Sequence, residues 1–163
     1  MDALVQDIRQ KLTDTGVFNW VAIWNNQIVR MKNLTEYAIN NPSAYIEIST
    51  PDFHQLGEEY QGIDIDMNIH IISNELDSGD GDIDNQMSIF GLRDAVVRAF
   101  SLYEASMGGF MVKTSETQDY NHTNLYHYII QYKMHYIDDT AVEPKLTISG
   151  VSLQTPITIT KPT

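Results

Sequence analysis

The chain of 163 residues contains no cysteine, which excludes disulfides, thiolate nucleophiles and cysteine-based zinc sites. No apolar run approaches the roughly 20 residues that a membrane helix needs. Lys and Arg number only ten and are scattered, which disfavours binding of nucleic acid through its phosphates. The first residues, MDALVQDIRQKL, lack a basic stretch followed by an apolar one, so we expect no signal peptide. Together these absences favour a protein that is assembled in a cytoplasm and has no membrane partner.

What the chain does contain is ordinary globular composition, with 42% hydrophobic and 20% charged residues. Its length is near that of one domain. The character of the sequence changes after Asp139, where three prolines alternate with Ile, Thr, Leu and Val. We therefore predict one α+β domain over residues 1–143 and an extended C-terminal arm over residues 144–163.

The formal charge of −12 is concentrated in one segment. Residues 33–92 hold twelve Asp and Glu and no Lys or Arg, whereas the rest of the chain is balanced. Such a segment either serves solubility or forms a surface that repels polyanions or docks a basic partner.

Hydrophobic periodicity predicts the elements of the first half. A helix is expected over residues 2–14, because Leu4, Ile8 and Leu12 fall on one stripe. A hairpin that turns at Asn25-Asn26 is expected next, followed by a short strand over residues 43–49 that Pro51 ends.

The strictest pattern lies in residues 62–74, where a buried face alternates with a wet face. The expected buried face is Ile63, Ile65, Met67, Ile69 and Ile71, and the wet face is Asp64, Asp66, Asn68, His70 and Ile72.

The second half is predicted to hold the main helix and two more strands. The helix is expected over residues 84–104 on a stripe of Ile89, Leu92, Val96, Phe100 and Tyr103, which Phe90, Val97 and Ala99 widen. Strands are expected over residues 110–117 and 124–138, the latter with a tyrosine-rich face toward the core. The predicted fold class is α+β, a mixed and mainly antiparallel sheet with two amphipathic helices on one face.

Motifs for chemistry are weak. The run from Asp77 to Asp84 places carboxylates at alternate positions, as hard cations prefer. However, taking Asp80 as the first ligand of an EF-hand puts Asn85 where Gly is required and Gly91 where Glu is required. Asp64 and Asp66 share one strand face at a spacing that a paired-carboxylate hydrolase could use, but solvated acids are the commoner outcome. We predict no catalytic residue, no metal and no cofactor.

The order of elements resembles a viral family. The strings DALVQDIRQKL, SAYIEIS, GIDIDMNIHII and IFGLRDAVVRAF are followed by QDYNHTNLYHYIIQYKMHYIDDTA. This order is similar to that of the tail-terminator and tail-completion proteins of tailed bacteriophages, which belong to the neck that joins head to tail. Residues 62–140 carry most of the resemblance, and QDYNHTNLYHY is its most telling string. The Trp20–Trp24 region and the arm have no counterpart in it.

The resemblance implies a virion structural protein that forms a ring, usually a hexamer, at the head-proximal end of the tail. Such a ring ends tube growth, contacts the tail-tube and head-connector proteins, and lets DNA pass through its lumen without sequence-specific binding. Under this interpretation the acidic side chains that line the lumen are Asp64 and Asp66. The expected contacts between subunits are a loop and an arm: Asp77, Asp80, Asp82 and Asp84 in the loop, and Leu146, Ile148, Val151, Leu153, Ile157 and Ile159 in the arm. The alternative is another neck ring or an adaptor-type binding protein without enzymatic activity.

Overall fold

The computed structural model describes residues 1–28, 41–73, 83–105, 108–121, 125–140 and 142. The elements in chain order are α1 (Asp2–Asp14), β1 (Trp20–Ile23), β2 (Ser43–Gln55), β3 (Gln61–Ser73), α2 (Ile83–Ala99), β4 (Val112–Asp119) and β5 (Tyr126–Asp138). The strands form one sheet in the order β1-β2-β3-β5-β4. Only β1 and β2 run parallel, and the other neighbours are antiparallel. The predicted α+β class and mainly antiparallel sheet are confirmed.

The main core lies between the helices and one face of the sheet. Alternation in β3 sends Ile63, Ile65, Met67, Ile69 and Ile71 to this face, where all five are buried as predicted. The helices contribute their predicted stripes to the same core: Leu4, Ile8 and Leu12 from α1, and Ile89, Leu92, Val96 and Phe100 from α2 with Tyr103 beyond it. Both helices therefore cover one face, and the central strand β3 is the most deeply buried element.

The helix α2 ends earlier than predicted, at Ala99, and the chain then turns so that Leu102 takes a positive φ of 60°. Phe90, which we expected to widen the core stripe, is exposed, whereas Val97 and Ala99 pack against the core. The tyrosine-rich face of β5 is buried as predicted, with Tyr126, Tyr132 and Tyr136 in the core.

The predicted hairpin at Asn25-Asn26 is wrong. Asn26 does take a positive φ of 62°, but the residues after it begin a helical turn and β1 instead pairs in parallel with β2. The N–H of Trp24 donates to the carbonyl of Ile46, so the segment is held by a distant strand.

Pro51 does not end β2, which continues to Gln55. The register between β2 and β3 shifts between Ser49 and Asp52, and the proline lies inside this irregularity. A bulge leaves a residue out of the ladder, so a missing N–H there costs no ladder hydrogen bond.

The face of β3 that we expected to be wet is wet only in its first half. Asp64 is exposed, whereas His70 and Ile72 are buried. Ile72 joins a second core on this face, together with Ile28 and Tyr45. The prediction is wrong at these two positions because Trp24, Ala22 and Leu125 cover this part of the face.

Candidate functional site

Asp64 and Asp66 lie on the sheet face opposite the helices, each beside a cationic or titratable partner on β5. The register places His135 opposite Asp64 and Lys133 opposite Asp66. Nδ1 of His135 lies 2.9 Å and Nε2 of His54 lies 3.0 Å from the Asp64 carboxylate, and Nζ of Lys133 lies 3.4 Å from that of Asp66. Hydrogen bonds from His135 and then from His54 hold the pKa of Asp64 below its usual range.

The two carboxylates therefore have separate partners. Gly62 makes the arrangement at Asp64 possible, because a Cβ at that position would lie 2.8 Å from Cε1 of His135. The predicted pair of Asp64 and Asp66 as lumen-facing acids stays a prediction.

A row of four titratable side chains crosses the sheet on the same face, one from each of β2, β3, β5 and β4. Nε2 of His70 lies 3.2 Å from the Glu47 carboxylate, and Nδ1 of His70 lies 2.8 Å from Nε2 of His127. Nδ1 of His127 lies 3.2 Å from the Asp119 carboxylate. We call these four residues the histidine row.

The histidine row is buried at its centre and more exposed at its ends. His70 and His127 are 4% and 3% exposed, whereas the side chains of Glu47 and Asp119 are 39% and 22% exposed. Trp24 stacks on His70 with a ring separation of 4.1 Å and an interplanar angle of 7°. The His70 and His127 rings are therefore positioned by their hydrogen bond with one another and by stacking on Trp24.

The protons in the histidine row can be counted. The row has three hydrogen-bonded links, and each link needs one proton, whereas two neutral imidazoles supply one N–H each. With Glu47 ionised and His70 neutral, as their lowered pKa values favour, Nε2 of His70 and Nε2 of His127 are the donors, and the third proton is carried by Nδ1 of His127 or by the carboxyl group of Asp119. A further proton on Nδ1 of His70 would oppose two donors across 2.8 Å, which breaks the central link.

The electrostatics of His70 agree with this count. Burial lowers the pKa of His70, and its hydrogen bond and charge interaction with Glu47 oppose that shift without cancelling it. Partial burial acts to raise the pKa of Glu47, but hydrogen bonds from Asn68 and His70 outweigh it and hold that pKa below its usual value. His70 is thus a neutral donor to an ionised Glu47.

Sequence analysis placed His70 on the same strand face as Asp64 and Asp66, and it lies on that face, where its hydrogen-bond partners are Glu47 and His127. The contact between His70 and His127 joins residues 57 positions apart. One feature of the sequence indicates the histidine row. His70 on β3 and His127 on β5 each lie on the more polar face of an amphipathic strand, close to the end of the strand where that face becomes apolar.

A third feature is exposed apolar surface. The β2–β3 hairpin ends in residues 52–60, which we call the acidic tip, and it exposes Phe53, Leu56 and Tyr60. Both outer strands also expose large side chains: Trp20 and Ile23 in β1, and Val112 in β4 with Phe110 before it. Large exposed apolar groups are typical of surfaces that another molecule covers.

A cleft of about 430 Å³ opens between the C-terminal halves of α1 and α2. Its lining includes Val17, Ala95 and Ala99 with the charged residues Lys11, Asp14 and Arg98. We call it the interhelical cleft.

Within the described ranges, no cluster of three or more His, Asp or Glu is arranged to hold a metal ion. The predicted contact residues Asp77, Asp80 and Asp82, and the arm residues Leu146, Ile148, Val151, Leu153, Ile157 and Ile159, lie outside the described residues. Asp84 lies within α2, but its side chain is also outside them. No helix in the described part of the chain is both long and apolar enough to cross a bilayer.

The comparisons with known proteins leave the family open. No protein-family model matches the chain, and no curated protein matches it.

Proposed function

We propose that this chain is a virion structural protein that assembles into a ring at the head-proximal end of a phage tail, where it ends tube growth and joins the tail to the head connector. The observation that carries the assembly part is the exposed apolar surface at separate places on one sheet. Trp20 and Ile23 are 51% and 61% exposed on one outer strand, and Val112 is 58% exposed on the other. The resemblance in the order of elements supports the place in the virion.

Outer strands with unpaired backbone groups invite pairing with another chain. In the described part of the chain, β1 and β4 each have a single strand neighbour, and they lie on opposite sides of the sheet. Two different surfaces at opposite edges of the sheet favour a head-to-tail contact between copies. Such contacts close into a ring when the rotation from one copy to the next permits it. This geometry and the resemblance together support the proposed ring.

Negative-stain images of the purified protein, alone and mixed with tail tubes, test the proposal. We expect rings in the first sample and capped tubes of fixed length in the second. Featureless particles of monomer size, with tubes that keep growing, would contradict it. A monomeric or dimeric mass with binding to a different partner would favour the adaptor-type alternative.

A further inference from the structure

The acidic tip carries negative charge for which the described part of the chain supplies no ion-pair partner. Asp52, Glu58 and Glu59 are exposed, and no Lys, Arg or His of the described residues lies within ion-pair distance of them. The tip is also ordered by its own bonds, because the N–H of Leu56 donates to the carbonyl of Tyr60 at 3.1 Å and the Gln55 side chain donates to the carbonyl of Gly57. The acidic tip is therefore a hydrogen-bonded hairpin end that exposes both apolar and acidic side chains.

The interhelical cleft has the opposite charge. Six Lys and Arg lie in the described ranges, and three of them have carboxylate partners within 4.0 Å: Arg93, Lys113 and Lys133. The other three are Arg9, Lys11 and Arg98, for which the described residues supply no carboxylate partner. Lys11 and Arg98 line the cleft, and Arg9 lies on the same helix as Lys11. Asp14 also lines the cleft, where it accepts a hydrogen bond from Gln10 at 2.6 Å.

The acidic tip cannot reach the cleft of its own chain. The connection from the cleft residue Val17 passes to Asn19, whose N–H donates to the carbonyl of Pro42 just before β2 begins. The tip begins at Asp52, nine positions after the first residue of β2, and nine residues of strand span about 30 Å. Any contact between tip and cleft therefore joins two molecules.

We propose that the acidic tip of one copy docks into the interhelical cleft of the next copy. This inference rests on the proposed assembly function and adds a specific contact between copies to the exposed outer strands described above. The apolar groups Phe53 and Leu56 enter between Val17, Ala95 and Ala99, and a volume of about 430 Å³ is within the range of small-molecule pockets. Glu58 and Glu59 face Lys11 and Arg98 across the rim. Each copy uses its tip once and its cleft once, so the contact is head-to-tail.

Charge reversal on each side tests the contact, measured as mass against concentration by light scattering. The tip variant is Glu58→Lys/Glu59→Lys, and the cleft variant is Lys11→Glu/Arg98→Glu. Since like charges brought together cost several kcal/mol, we expect each variant to need at least about tenfold more protein to assemble. An equimolar mixture of the two variants should assemble again, because every tip then finds a cleft of opposite charge.

The control variant is Asp2→Lys/Glu104→Lys, which changes the net charge as the tip variant does, at exposed acids outside the tip and the cleft lining. It should assemble like the unmodified protein, and circular dichroism should show that all variants are folded. If the unmodified protein forms rings and the reversed variants form them equally well, this interface is wrong while the proposed function stands. If the unmodified protein stays monomeric at all concentrations, both proposals fail.

Discussion

The buried pair of His70 and His127 gives a sharp test of the packing on the face opposite the helices. The change His127→Phe keeps an aromatic ring near Trp24 but leaves Nδ1 of His70 facing carbon. A buried polar atom that loses its partner costs about 1–3 kcal/mol, and we expect His127→Phe to lower the free energy of unfolding by that amount. His70→Phe removes the same link from the other side and should have a similar effect.

The double variant His70→Phe/His127→Phe removes both polar partners at once. Replacing both members of a buried pair by apolar groups of similar shape is close to neutral. Glu47 keeps its hydrogen bond from Asn68, and Asp119 keeps its hydrogen bonds from Asn121. We therefore expect the double variant to lose at least about 1 kcal/mol less than the sum of the two single losses.

Urea unfolding at pH 7.5, followed by far-ultraviolet circular dichroism in dilute protein, measures all three values. Tyr120→Phe is the matched control, because it removes a polar group from an aromatic ring that is 80% exposed, and it should cost less than about 0.5 kcal/mol. Single losses that add up in the double variant would refute the histidine row as a coupled network.

The remaining predictions concern pH, two glycines and two tyrosines. The pKa of His70 is lower in the folded protein than in the unfolded chain. The contribution of His70 to stability is therefore present above about pH 6.5 and is lost as the pH falls through the folded pKa. An NMR titration in which His70 titrates at or above pH 6.5 would contradict this. Gly108→Ala should lower the melting temperature, since its Cβ would lie 2.5 Å from a backbone oxygen, whereas Gly91→Ala in α2 meets nothing and should add about 0.5–1 kcal/mol. Tyr132→Phe removes a buried hydroxyl with no hydrogen-bond partner among the described residues and should raise the unfolding free energy by about 1 kcal/mol. Tyr103→Phe should lower it, because that hydroxyl donates to a carboxylate.

Periodicity predicted the helices, the long strand and the main core, because those elements each bury one face against the same neighbours. It could not predict where the second face of β3 becomes buried. The alternation of residue types in a strand predicts which face a side chain lies on. Whether that side chain is buried depends on which other segments cover the face. At His70 the cover is Trp24, which reaches it from a segment 46 positions earlier in the chain.

The errors at Asn25-Asn26 and Pro51 have one physical origin. Both residues follow their local preference, since Asn26 has positive φ and Pro51 lies at a break in the ladder. What the sequence did not reveal was strand pairing over long separations, which decides whether a turn makes a hairpin and whether a strand continues beyond a bulge.

The twelve acids of residues 33–92 suggest one charged surface in the sequence. In the structure, however, those among the described residues lie in different surroundings. Asp64 and Asp66 have cationic or titratable neighbours on β5, whereas Glu58 and Glu59 have no ion-pair partner among the described residues. Changing Asp64 and Asp66 to Lys would break contacts within the chain, so impaired assembly or DNA passage in that variant would not by itself support a lumen lined by acids. Reversal at Glu58 and Glu59 leaves the described ion pairs intact. Among the described acids of residues 33–92, Glu58 and Glu59 at the acidic tip are therefore the better positions at which to test the effect of charge on assembly.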